Sequence, residues 1–135
     1  YIRHSARSFI FSASLPAPNL AAAAAALEVM ETEPEHVERL WENARFMMKG
    51  FRELGFNIGN TQTPIIPVIV GEDEKCCRFY LDLKQRGLFV NPVIPPAVPQ
   101  GQSLLRTSYM ATHTREQLER ALSIFEASGR KMGVI

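Results

Sequence analysis

The apolar positions along the chain change their period several times, and each change marks an element. Six alanines, Ala21 to Ala26, follow the segment Pro16-Ala17-Pro18. Alanine has the highest helix propensity of any residue, so a helix is predicted from about Pro18 to Glu31. Val37, Leu40, Trp41, Ala44, Met48 and Phe51 then recur at steps of three and four, forming one apolar stripe on a second helix. Glu38, Arg45, Lys49 and Arg52 occupy the opposite face. Thr32 with Glu35 has the form of a reciprocal cap for the start of this helix, and Gly55 follows its end.

After the turn-forming run from Gly59 to Pro64, Ile65-Ile66-Pro67-Val68-Ile69-Val70 is short, β-branched and bounded by Gly71. It predicts a buried strand, with Pro67 pointing to a sheet edge or a bulge. Glu72 to Arg86 reads as a third helix stopped by Gly87, and Leu88-Phe89-Val90 as a strand. Pro92, Pro95, Pro96 and Pro99 predict a stiff loop from Asn91 to Gln102. Leu104 to Met110 is a further strand, and alternation sets Arg106 on one face with Leu104 and Ser108. Thr114 and Gln117 predict a capped final helix, with Leu118, Ala121, Leu122 and Phe125 facing inward and Gly129 closing it. The order of elements is that of an α/β domain with one small mixed or antiparallel sheet covered by helices.

Composition narrows the function. A chain of 135 residues with 46% hydrophobic and 21% charged positions predicts one folded domain. Fifteen basic against fourteen acidic residues leave a formal charge of +1, too little for the broad positive field that a nucleic-acid partner requires. The alanine-rich run is far shorter than the roughly 20 residues that cross a bilayer, so no transmembrane segment is expected. The chain opens Tyr1-Ile2-Arg3-His4 without an initiator methionine and reads as a piece of a longer protein. Cys76 and Cys77 are adjacent and supply no disulfide framework, so a cytoplasmic location is expected.

Few residues carry candidate chemistry. Ser12 and Ser14 precede a predicted helix start, where serine serves either as a cap or as part of an anion site. Arg106 on its strand calls for an anion, either a structural carboxylate or a bound substrate carboxylate that its planar fork matches. His113 lies at a strand-to-helix junction, a place for a hydrogen-bonded capping residue as well as for an acid or base. His4 and His36 lack metal-ligand spacing, and no Gly-rich phosphate loop occurs.

Seven segments in order resemble one family. They are Phe9 to Pro16, Leu40-Trp41-Glu42-Asn43, Pro64 to Val68, Gly87 to Pro92, Pro95-Pro96-Ala97-Val98-Pro99, Leu105-Arg106-Thr107-Ser108 and Ala111-Thr112-His113-Thr114. Together they look like the C-terminal domain of the α-oxoamine synthases. These pyridoxal-phosphate enzymes include serine palmitoyltransferase, glycine C-acetyltransferase, 5-aminolevulinate synthase and 8-amino-7-oxononanoate synthase.

The resemblance implies that residues 1–135 are the small C-terminal domain of a fold type I subunit, with residues 1–16 an interface or linker segment. It implies a homodimer and a decarboxylative condensation of an amino acid with an acyl-CoA, with pyridoxal 5'-phosphate as electron sink. On matching motifs, Ser12 and the backbone of Ala13 would reach the cofactor phosphate of the neighbouring subunit, and Arg106 would hold the amino-acid carboxylate. Pro96, Ala97 and Val98 match a mobile Pro-Ala-Thr-Pro loop near the substrate, with Val98 in place of the threonine. The family's Schiff-base lysine lies upstream of this segment, and Lys49, Lys75, Lys84 and Lys131 stand in unrelated contexts, so the fragment alone is expected to be inactive. Within the family the segments look most like those of bacterial serine palmitoyltransferases, which implies L-serine and palmitoyl-CoA. Glycine C-acetyltransferase and 8-amino-7-oxononanoate synthase are the close alternatives, and a non-enzymatic α/β interaction module is the alternative of a different class.

Overall fold

The computed structural model describes residues 1–10 and 15–135. They divide into two compact units, Tyr1–Pro34 and Glu35–Ile135, where the length predicts one. The first unit holds two single-turn helices, α1 (Ile2–Ser5) and α2 (Arg7–Ile10), and the long α3 (Ala17–Thr32). Alanine on every side gives α3 no apolar stripe, and none of its residues is buried. The spacing of Thr32 and Glu35 predicts that Thr32 stands just ahead of a helix; it stands at the end of one instead. It is the last residue of α3 and donates back to the Glu28 carbonyl at 2.8 Å.

The second unit contains the core. Helix α4 (Glu35–Leu54) buries Ala44, Met47, Met48, Gly50 and Phe51, so the stripe read from the sequence is deepest in its second half. Strand β1 (Ile65–Gly71), helix α5 (Asp73–Gln85), strands β2 (Asn91–Val93) and β3 (Ser103–Ser108), and helix α6 (Arg115–Met132) follow. The three strands form an antiparallel sheet in the order β1-β3-β2. Pro67 lies on β1, an edge strand with a register irregularity between Ile69 and Gly71, as a proline within a strand requires.

Two sequence expectations fail here for local reasons. Leu88-Phe89-Val90 is not a strand: the Leu88 amide is spent on the Leu83 carbonyl at 3.0 Å as the chain leaves α5. Pairing begins instead at Asn91, inside the segment predicted to be a loop, and Pro92 is accommodated because β2 is an edge. Gly129 does not end α6. The helix continues to Met132 and is capped by Gly133 in the left-handed conformation, with φ of 62°.

One face of the sheet, formed by Ile66, Val68, Ser103, Leu105 and Thr107, is buried. Helices α4 and α5 pack against the sheet, and α6 packs against both. Phe51, Phe56, Phe79 and Phe125 interlock beneath it, with ring centroids between 4.9 and 6.2 Å apart. Each such ring contributes about 1.5 to 3 kcal/mol through burial. The other face carries Ile65, Pro67, Ile69, Leu104, Arg106 and Ser108, all exposed or half-buried.

Candidate functional site

Strand alternation places Arg106 on the open face, between two buried neighbours, Leu105 and Thr107, that turn inward. The antiparallel register sets Pro67 of β1 on one side of it and Asn91 of β2 on the other. Arg106 has no hydrogen-bond, ion-pair or ring partner among the described residues. Other arginines do find partners: Arg86 pairs with Asp82 at 2.7 Å, Arg115 with Glu119 at 2.9 Å and Arg130 with Glu126 at 2.9 Å. The structural carboxylate that would make Arg106 an internal ion pair is therefore not found among the described residues, and an exposed fork of five N–H donors faces outward from a rigid strand.

The loop over residues 94–102 joins β2 to β3, so Pro96, Ala97 and Val98 belong to the same hairpin as Arg106. Pro96 and Ala97 are exposed and Val98 is half-buried, with the Ala97 amide donating to the Ile94 carbonyl at 3.0 Å. Arg106 lies three residues along the strand from the loop's end at Ser103, about 10 Å at the usual rise per residue. No hydrogen bond joins loop to arginine among the described residues. Ser12 and Ala13, the residues expected at the cofactor phosphate, lie outside the described residues.

His113 takes the structural role. Its Nδ1 accepts from the Met110 amide at 3.2 Å, while Asn43 Nδ2 donates to the carbonyls of Met110 and His113 at 2.9 and 3.0 Å. The turn before α6 is thereby pinned to α4. A cleft of about 500 Å³ opens next to it, lined by Val90, Thr107, Tyr109, His113, Leu118 and Phe125 among others. Its lining takes Thr107 and Ser108 from the end of β3 and does not include Arg106. Burial raises the Tyr109 hydroxyl far above its ordinary range, against a smaller opposing effect of Thr107, so it stays protonated there.

The remaining titratable groups are occupied structurally. Burial, aided by Cys77 and Asp73, pushes the Cys76 thiol up to about 11, which removes it as a nucleophile. The Asp82 carboxylate accepts from Lys131 Nζ at 2.5 Å, Ser128 Oγ at 2.7 Å and Arg86 Nε at 2.7 Å. Those three donors, Lys131 foremost, hold Asp82 well below the usual carboxylate range, against the push of burial. The other lysines also lie on helices: Lys49 beside Glu53, Lys75 reaching the Gly133 carbonyl, and Lys84 over the Tyr80 ring. None shares the Arg106 face. The described residues thus fit the substrate side of a site; they offer no lysine on that face as a covalent anchor for a cofactor.

Asn91 and Pro67 as companions of Arg106 do not follow from the sequence pattern. The alternation of Arg106 with Leu104 marks the face, but the partner strand falls inside a proline-rich stretch.

The same α/β fold, a small antiparallel sheet backed by helices, is found in solved pyridoxal-phosphate-dependent structures. A structure of SPT with PLP superposes with a TM-score of 0.85 at 39% identity, covering 99% of this chain and 34% of that one. The serine palmitoyltransferase of Sphingomonas wittichii gives a TM-score of 0.84 at 37% identity, again over 99% of this chain and 34% of that one. Residues 1–125 match the model of the aminotransferase class I and II family, and the chain belongs to that family. Its relatives include the serine palmitoyltransferase of Bacteriovorax stolpii, 48% identical over 93% of this chain and 30% of that protein. The 8-amino-7-oxononanoate synthase of Alkaliphilus oremlandii is 41% identical over 100% of this chain and 34% of that protein. The chain therefore spans about a third of the length of the curated relatives it matches, and the resemblance to α-oxoamine synthases holds. Among the described residues no helix is long and apolar enough to cross a membrane.

Proposed function

We propose that this chain is the carboxyl-terminal small domain of a pyridoxal-phosphate-dependent α-oxoamine synthase of the serine palmitoyltransferase type, and that Arg106 receives the carboxylate of its amino-acid substrate. The observation that carries this reading is the position of Arg106: fixed on a strand, exposed, and without an anionic partner among the described residues. A guanidinium so placed binds a carboxylate through two parallel hydrogen bonds, which orient the amino acid as well as hold it.

In the overall reaction the bond from α-carbon to carboxylate breaks and a bond from α-carbon to the acyl carbonyl carbon forms. Carbon dioxide leaves, and the CoA thiolate leaves and takes up a proton. Pyridoxal phosphate, when bound, supplies the electron sink at the α-carbon. Ser12 and Ala13 are the residues we assign to its phosphate, across the interface of a homodimer. Pro96, Ala97 and Val98 are assigned to the wall beside the substrate, where Val98 offers a methyl-lined surface and no hydroxyl. The lysine that anchors the cofactor belongs to the remainder of the subunit, so the 135 residues alone are inactive. Two free cysteines suit the reducing cytoplasm in which we place the enzyme.

The relatives named 8-amino-7-oxononanoate synthase support a second reading, with the same bond changes and a different substrate pair. An interaction module without catalysis is not supported, given a family match over residues 1–125.

The test is to make Arg106→Ala and Arg106→Lys in the full-length enzyme and titrate L-serine, L-alanine and glycine by calorimetry. We expect the preferred amino acid to lose about 100-fold in affinity and in kcat/KM in Arg106→Ala, with only partial recovery in Arg106→Lys, while the cofactor absorbance is unchanged. Wild-type affinity in both variants would refute the assignment, and the preferred amino acid separates the two readings.

A further inference from the structure

A second polar side chain stands beside Arg106 and has no task so far. Asn91 of β2 is the direct cross-strand partner of Arg106 in the antiparallel register. Directly opposed residues share a face, with Cβ atoms about 5 Å apart. Around this pair the face is mostly apolar: Pro67 flanks Arg106 on its other side, Ile69, Leu104 and Val93 form the next row on one side, and Ile65 with the Ser108 hydroxyl the row on the other. The Asn91 side chain is half-buried and has no hydrogen-bond partner among the described residues. One cation and one amide, adjacent and unpaired on a mostly apolar surface, form a two-part receptor.

We propose that Asn91 is a second carboxylate-binding residue of this site, donating a hydrogen bond from Nδ2 to the carboxylate that Arg106 holds. The inference rests on the reading of Arg106 given above. A carboxylate offers about four lone-pair sites, and a bidentate guanidinium fills two of them. The carboxamide matches what is left, because its Nδ2 is a donor for a carboxylate oxygen lone pair that the guanidinium does not fill. An aspartate at this position would keep the shape and lose the donor. It would also set a negative charge about 5 Å from Arg106, pairing the guanidinium internally and repelling the ligand.

The experiment compares Asn91→Ala and Asn91→Asp with Arg106→Ala in the full-length holoenzyme, with cofactor absorbance as the check of integrity. The ligands are L-serine and L-serinamide, which lacks the carboxylate, or the alanine pair should the titrations above select alanine. We expect Asn91→Ala to weaken the carboxylate ligand about 10-fold and Asn91→Asp about 100-fold. The amide ligand should change less than about 3-fold in both, a discrimination that a purely structural role would not produce. Equal losses for the carboxylate and the amide ligand would overturn the inference, as would wild-type affinity in both Asn91 variants while Arg106→Ala is weakened. Wild-type affinity in Arg106→Ala would instead remove the reading on which it rests. Should Asn91→Asp fail to retain cofactor, the ratio of the two ligands in Asn91→Ala decides.

Discussion

Gly129 sits in the interior of α6, where glycine costs about 1 kcal/mol relative to alanine, and close packing explains its presence. A methyl group there would lie 2.5 Å from Phe56 Cζ and 3.2 Å from Ile135 Cγ1. The Phe56 ring cannot step aside, because Phe51, Phe79 and Phe125 hold it on three sides. Overpacking of this kind costs about 1 to 3 kcal/mol, which outweighs the gain in propensity. Gly129→Ala should therefore be destabilised by about 1 to 2 kcal/mol, read as a lower urea midpoint at unchanged m-value. From the sequence alone Gly129 reads as a stop signal, since the approach of a ring from position 56 leaves no trace in the local pattern. Arg106 is the opposite case. Its face follows from strand alternation within six residues, and that much of the candidate site is legible without coordinates. Asn91 is not, because it depends on which strand lies alongside.

At the scale of elements, legibility follows how local the determining interaction is. Thr114 and Gln117 form the reciprocal cap that their spacing predicts, with Thr114 Oγ1 accepting from the Gln117 amide at 3.3 Å and Gln117 Oε1 from the Thr114 amide at 3.0 Å. At Thr32 the same spacing misleads, because Thr32 is the last residue of the preceding helix and its hydroxyl donates back to Glu28. Likewise Leu88-Phe89-Val90 has a strand's composition, but the exit from α5 takes its first amide. Thr114→Ala removes one capping acceptor at the start of α6 and should cost about 1 kcal/mol, whereas Thr114→Ser should cost little. Equilibrium denaturation of both variants checks this, and equal losses would show that the methyl group, and not the hydroxyl, matters.

For the whole molecule, the Asp82 cluster links α5 to α6 and makes stability depend on pH. Its carboxyl is held below the usual range in the folded state, so its contribution is complete above the unfolded-state value near 3.8 and declines as pH falls from there toward the folded value. Arg86 and Lys131 are 40% and 57% exposed, so solvent screening moderates the effect. Thermal melts of wild type and Asp82→Asn should differ most above about pH 4 and converge below it, whereas a constant gap would show that the charge is immaterial. This cluster and the aromatic core both lie with the helices, while Arg106 and Asn91 stand on the open face of the sheet. Because a strand sends successive side chains to opposite sides, one β3 segment carries two nearly independent instructions: odd positions from Ser103 to Thr107 hold the fold, and Leu104, Arg106 and Ser108 face away from the core, on the side where we propose the carboxylate binds. Selection can therefore rewrite what such a domain recognises without renegotiating how it folds, and a designer seeking a new amino-acid preference has the same freedom.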